Sequence, residues 1–190
     1  MRSLNIMDIL RGEPMESETI IYKIIESPVG QFVAGVTEKG CCLFEFCDRG
    51  GIERIRARMM KRYNADMKEG SNSLLEEIEK QSNEYFAGKR REFDFPIDQK
   101  GSPFEKSVWD ALMKIPYGTT CSYGDIAAKL GKPGAARAVG RANGLNYIPI
   151  IIPCHRVIEA NGELRGYGGG LWRKRFLLEL EGAIPKPMFA

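Results

Sequence analysis

The sequence predicts an α+β protein in two parts: a small N-terminal α/β unit, a three-stranded sheet plus helices, and then a mainly helical C-terminal domain with a helix-turn-helix. Three observations predict it. Short β-rich runs punctuated by glycine and proline crowd the first fifty residues. Helical runs with capping residues dominate after Gly101, and two short helical segments meet at the break Gly131 to Gly134. A chain of 190 residues, 43% hydrophobic and 28% charged, suits one domain or two small ones and excludes a disordered tail or a multi-module regulator.

Thr19 to Ile25, Gln31 to Thr37 and Cys41 to Phe46 read as strands of a meander, with Pro28, Gly30 and Gly40 marking the turns. Two helices follow. Ile52 to Tyr63 is basic and weakly amphipathic; Ser73 to Phe86 sets Leu74, Leu75, Ile78 and Tyr85 near one face before Gly88 stops it. Glu92 to Pro96 reads as a further short strand. These boundaries give an N-terminal scaffold over residues 1–95, a linker over 96–101 and a second domain over 102–190.

In the second domain, Ser102, Pro103 and Glu105 have the N-cap, N1 and N3 chemistry of a capping box. Phe104, Val108, Trp109, Leu112 and Met113 supply the apolar stripe behind it. Ser122 caps a helix to about Leu130, and after the glycine break a second runs from Ala135 to about Ala142. That second helix is nearly all small residues with two arginines, Arg137 and Arg141. A reader of base edges needs several long polar side chains; small ones suit close, sequence-independent approach to a groove and its phosphates, or equally packing against the neighbouring helix.

Charge is divided unevenly. Residues 101–190 carry 12 Lys and Arg against 7 Asp and Glu, so the net +3 of the chain lies in the second half, compatible with an anionic partner. The basic run Lys89-Arg90-Arg91 reads as a solvated loop or a phosphate contact. No apolar run approaches the roughly 20 residues that span a bilayer, and Met1 to Glu13 is too short and polar for a secretory leader. Five cysteines, 41, 42, 47, 121 and 154, form an odd set without framework spacing, which suits a reducing, cytoplasmic setting. With no histidine before position 155, no zinc site is expected.

The apolar run Ile148 to Pro153 reads as a short strand, and directly after it stand Cys154 and His155, the only histidine. A free thiol is mostly protonated at neutral pH, and an imidazole within reach can accept its proton. Neighbours on an extended strand point to opposite faces, so a turn or a bridging water is needed. Glu181, at the end of the last helix, is placed to orient the imidazole. The glycine-rich stretch around Tyr167 neither follows a strand nor carries a Walker lysine, so it is not a nucleotide-cofactor loop, and no cofactor is expected.

Tyr85-Phe86-Ala87-Gly88, Val108-Trp109, Ile115-Pro116-Tyr117-Gly118, Ser122-Tyr123, Ala136-Arg137-Ala138-Val139-Gly140, Ala142-Asn143-Gly144, Pro153-Cys154-His155-Arg156-Val157, Gly166-Tyr167 and Lys174 to Gly182 follow one another in order. On these motifs, from about Leu75 to Gly182, the chain resembles the O6-alkylguanine-DNA alkyltransferases, the methylated-DNA–protein-cysteine methyltransferases. The resemblance implies irreversible transfer of an alkyl group from O6-alkylguanine, and from O4-alkylthymine, in double-stranded DNA to Cys154 by a monomer. The base is flipped and the protein is consumed.

By the same resemblance, His155 takes the thiol proton through a water, Glu181 supports it, Asn146 shapes the turn and Tyr123 assists the departing guanine. Arg137 fills the duplex, with Ala135, Ala136, Ala138, Arg141 and Asn143 on the DNA face. Val157, Tyr167, Gly168 and Gly169 wall the pocket, the Cys154 and Val157 carbonyls taking the exocyclic amine. Tyr147, Arg165 and Gly168 depart from the family's usual residues. Two other readings of these residues are a damage-binding relative without chemistry, against which Cys154 argues, and a multiple-turnover thiol hydrolase.

Overall fold

The structure, a computed structural model, describes residues 18–186; the expectation about Met1 to Glu13 lies outside them. The sheet is built from β1 (Glu18–Ile25), β2 (Phe32–Thr37), β3 (Gly40–Phe46) and β4 (Ala65–Glu69) in the order β3-β2-β1-β4. β1–β2 and β2–β3 are the antiparallel pairs of the expected meander, in register from Ile21 opposite Val36 to Ile25 opposite Phe32. The fourth strand is a correction to the three read from sequence. Helix α1 (Ile52–Tyr63) ends at Asn64, whose left-handed backbone (φ 51) turns the chain straight into β4, parallel to β1. Only Ala65 and Met67 of β4 face inward, too few apolar positions to announce a strand.

Glu92 to Pro96 forms no strand. The chain there is fastened to the sheet by Cys41 N–H to Pro96 O at 2.8 Å and Asp98 N–H to Cys41 O at 2.9 Å, with a single bridge between Cys41 and Ile97. Pro96 has no N–H to extend a ladder. Nor is 96–101 a loose tether, since Tyr63 Oη donates to Asp98 O at 2.5 Å and Arg62 Nε to Lys100 O at 2.8 Å.

Helix α2 (Ser73–Phe86) is capped by Asn72 and buries Leu75, Ile78 and Tyr85. α3 (Pro103–Met113) begins with the expected capping box, and α4 (Tyr123–Lys129) has a second, in which Ser122 and Asp125 cap each other's backbone. α3 buries Val108, Trp109 and Leu112, but Met113 is exposed, so the apolar stripe ends one residue earlier than expected. α5 (Ala136–Gly144) completes the helix-turn-helix, and Trp109 Nε1 donates to Ala142 O at 2.9 Å to tie α3 to it. α6 (Leu171–Leu180) closes the chain.

Successive residues of β2 alternate between two apolar layers. Val33 joins Ile55, Met59 and Tyr147 beneath α1, while Phe32, Ala34 and Val36 join a core that continues through Trp109, Leu112, Val139, Ile148 and Leu177 of the helical part. Arg173 of α6 fastens that part to the sheet through Val29 O at 2.7 Å and Asp48 at 2.8 Å. Among the described residues no helix is long and apolar enough to cross a membrane.

Candidate active site

The run Ile148 to Pro153 is a folded loop rather than the strand read from its apolar residues. Pro149 and Pro153 supply no N–H groups, Ile150 is held at φ 75, and Ile152 N–H returns to Ile148 O at 2.9 Å. Asn146 organises the loop from within. Its Oδ1 accepts from Ile148 N–H at 2.9 Å and from Gln99 at 3.1 Å, and its Nδ2 donates to Ile152 O at 2.9 Å. The loop delivers Cys154 at the head of a 3-10 turn, Cys154–Arg156, which leads into β6 (Val157–Ile158), parallel to β5 (Cys121–Ser122).

Behind the sulfur, Glu181 gathers donors. It accepts from Tyr85 Oη at 2.7 Å, from Arg156 Nε and Nη2 at 2.8 and 2.9 Å, and from the Gly118 N–H at 3.4 Å, and it meets His155 Nε2 at 2.9 Å. Burial acts to raise its pKa, but the hydrogen bonds and charges of His155 and Arg156 outweigh burial and hold it at about 2. A carboxylate that stays ionised can only accept, so the neutral imidazole carries its proton on Nε2 and presents Nδ1 as a lone pair. Nδ1 is buried and no protein group among the described residues reaches it. Burial, the largest influence on His155, lowers its pKa below the ordinary value despite Glu181, so the ring is neutral at pH 7.

Cys154 is 5% exposed. Burial pushes its thiol up to about 11, against opposing help from the Asn146 side chain, Lys174 and Arg49. About one sulfur in 10⁴ is then a thiolate at pH 7, so useful chemistry requires the proton to leave as the nucleophile attacks. The sulfur borders a small cavity of about 10 Å³, space for about one water, which Cys154 lines with Phe46, Arg49, Asn143, Tyr167 and Gly168. Tyr123, at the start of α4, lies against α5, and a Cβ at Gly166 would come within 3.2 Å of its hydroxyl.

Two family models match, "6-O-methylguanine DNA methyltransferase, ribonuclease-like domain" over residues 20–99 and "6-O-methylguanine DNA methyltransferase, DNA binding domain" over residues 103–183. A methylated-DNA–protein-cysteine methyltransferase of Methanosarcina acetivorans is 44% identical over 85% of this chain and 98% of its own length. The chain belongs to the O6-methylguanine-DNA methyltransferase family. A Mycobacterium tuberculosis relative of the same name is 63% identical over 53% of this chain, and the match spans 61% of that relative's length. The crystal structure of the M. tuberculosis O6-methylguanine methyltransferase aligns with a TM-score of 0.74 at 43% identity, covering 89% of this chain and 96% of that one. A structure of M. tuberculosis OGT in complex with DNA aligns at 0.73 and 44%, covering 86% and 93%.

As a member of this methyltransferase family, the chain brings together most of the residues expected of it. His155 meets Glu181, Asn146 ties down the loop that carries Cys154, and Cys154, Tyr167, Gly168 and Gly169 line the cavity. On α5, Arg137, Ala138 and Arg141 are exposed and Ala135 and Ala136 half-buried, forming a small-residue, basic surface. Two expectations need correction. Asn143 is 4% exposed and turned inward, donating Nδ2 to Cys154 O at 3.4 Å, so it backs the nucleophile instead of sharing the DNA face. Val157 is fully buried and does not line the cavity, its carbonyl accepting from Lys174 Nζ at 2.6 Å.

Sequence reasoning missed four participants. Tyr85 and Arg156 stand inside quoted motifs but were given no role. Lys174, fully buried, grips Val157 O and Arg165 O at 2.6 Å each, and burial lowers its pKa to about 8. Arg49 comes from the N-terminal unit and had no motif to signal it. The run Lys89-Arg90-Arg91 is partly engaged within the protein: Arg90 pairs with Glu84 at 2.7 Å and Arg91 covers the Tyr117 ring.

Proposed function

We propose that this protein repairs DNA by transferring the alkyl group of O6-alkylguanine in a duplex, and of O4-alkylthymine, irreversibly to Cys154. The observation that carries the reading is the Glu181–His155 pair, whose Nδ1 is left without a partner, on the residue that follows a cysteine at the wall of a cavity. Sγ attacks the alkyl carbon; the S–C bond forms as the C–O6 bond breaks, and the thiol proton passes through a water to Nδ1. The purine leaves with developing negative charge, which the Tyr123 hydroxyl and backbone N–H groups at Gly168 and Gly169 stabilise, Tyr123 donating a proton that the imidazolium replaces through solvent.

The target carbon lies inside a stacked duplex, so the nucleotide must be extruded at a cost of a few kcal/mol. Exposed Arg137, on a helix whose neighbours Ala135, Ala136 and Ala138 let the backbone approach, fills the gap, and Arg141 follows the phosphates. The product is a thioether, which has no electrophilic carbonyl for water to attack, so each molecule acts once. No cofactor enters these steps. Residues 102–190 perform them and residues 1–95 serve as scaffold across the 96–101 linker. We place the protein in the cytoplasm as a monomer, its five free cysteines suiting a reducing compartment.

Incubation with duplex DNA containing O6-methylguanine, followed by intact and peptide mass, tests this. One methyl added on the Cys154 peptide, and none in Cys154→Ala, is the expected result; a methyl on another residue, or none, rejects the mechanism.

A further inference from the structure

Arg49 belongs to the N-terminal unit, yet its guanidinium stands in the cavity that Cys154 lines. It donates to Gly144 O, at the end of α5, at 3.4 Å. It also lies across Gly168: a Cβ built on that glycine would fall 2.5, 2.7 and 2.8 Å from Arg49 Cζ, Nη2 and Nη1. A side chain at 168 and this guanidinium therefore compete for one space, and so does any group that a ligand brings there.

The guanidinium is held from behind. Glu45, on β3 with its carboxylate wholly buried, accepts from Arg49 Nη1 at 2.7 Å through one oxygen and from Arg58 Nη2 at 2.5 Å through the other. Arg58 in turn lies 4.7 Å over the Tyr147 ring, which Arg62 also covers at 4.4 Å. The Arg49 side chain itself is 32% exposed, so it can leave Gly144 and Gly168 for water without stranding its donors.

We propose that Arg49 is a specificity-determining residue, setting how large an O6 substituent the pocket accepts, because the guanidinium and a bulky substituent contend for the space over Gly168. This rests on Cys154 being the alkyl acceptor. A methyl group is small enough to reach the sulfur beside the arginine. A benzyl group must first displace it, breaking its bond to Gly144 and loosening its bond to Glu45.

The test uses two duplex oligonucleotides of one sequence, carrying O6-methylguanine or O6-benzylguanine, and single-turnover rates for the wild type, Arg49→Ala and Gly168→Ala. The benzyl-to-methyl rate ratio cancels changes in DNA affinity and in thiol reactivity, since both substrates meet the same helix and the same sulfur. Arg49→Ala raises that ratio by about tenfold or more, in line with what one or two methylene-sized contacts are worth in discrimination. Gly168→Ala places a methyl group where the guanidinium lies. Its backbone is not in the left-handed region, so alanine fits without strain; eviction of the arginine raises the ratio by a smaller factor, about threefold. A ratio within twofold of wild type in Arg49→Ala, or a fall in either variant, overturns the proposal. Failure of the wild type to alkylate Cys154 from either duplex is a different result and rejects the transfer reaction itself.

Discussion

Behind Cys154, Glu181 sits with no side-chain exposure and takes hydrogen bonds from Tyr85, Arg156, His155 and the Gly118 backbone. In front of it the wall runs through Gly166, Gly168 and Gly169, and the charged group that closes it is a partly exposed arginine borrowed from the other half of the chain. The rear is preorganised: each donor around the carboxylate has one place to be, which keeps the histidine in a single tautomer before any substrate arrives. The front is conformationally cheap to alter, since glycine backbone and one long side chain can yield to an incoming base. Residues behind the sulfur therefore govern rate and stability together, whereas residues in front govern which substrate is served.

Removing the rear anion is the largest perturbation. Glu181→Ala leaves Arg156 buried without its partner and lowers stability by about 3–5 kcal/mol, measured by urea unfolding, while transfer to Cys154 slows at least about 10³-fold. If stability were kept and only the rate fell, Glu181 would act on the histidine alone. Next comes the acid response. Glu181 is held at about 2 against an ordinary 4.5, so the stability it supplies is fully present above pH 4.5 and disappears as the pH falls toward 2. The loss amounts to about 3 kcal/mol across that window. Unfolding of Glu181→Gln followed over the same range shows a correspondingly flatter profile; identical profiles would mean that some other carboxylate carries the acid sensitivity.

On the front, Arg137→Ala slows transfer from duplex DNA about tenfold or more, and transfer from free O6-benzylguanine by less than twofold. Equal losses on both substrates would remove the duplex-filling role and return Arg137 to the structural category. The smallest effect is on pH. Burial keeps His155 neutral below its usual value near 6.5, so the rate of transfer stays level from pH 7.5 to 6.5 and declines only at lower pH. A rate that already halves at pH 6.5 would show that the ring is not desolvated when DNA is bound.

The rear of the site was readable in outline because its members sit in short motifs. Cys154, His155 and Glu181 announce themselves by residue type and order, and Asn146 through the resemblance. What could not be read is how many donors converge on Glu181: Tyr85 is 96 residues away and Arg156 25, and no local pattern encodes a contact across such distances. The capping box at Ser102 and the N-cap at Ser122 were legible because three or four adjacent residues determine them. The loop Ile148 to Pro153 misled because its composition is that of a buried strand, while its two prolines and the Asn146 side chain dictate a turn. β4 escaped for the opposite reason, having only Ala65 and Met67 to mark its inner face. Arg49 was invisible because its importance comes from packing between the units.

The apolar layer that runs from Phe32 and Phe44 through Trp109 to Leu177 crosses the boundary between the two matched family segments without a break. A calorimeter should accordingly record one endotherm, with its van't Hoff and measured heats in agreement. Either segment expressed alone would bare one side of that layer to water and clump, as exposed apolar faces of this size do. The N-terminal half, which also lends Tyr85 and Arg49 to the site, is thereby a condition for the other half existing in a folded form.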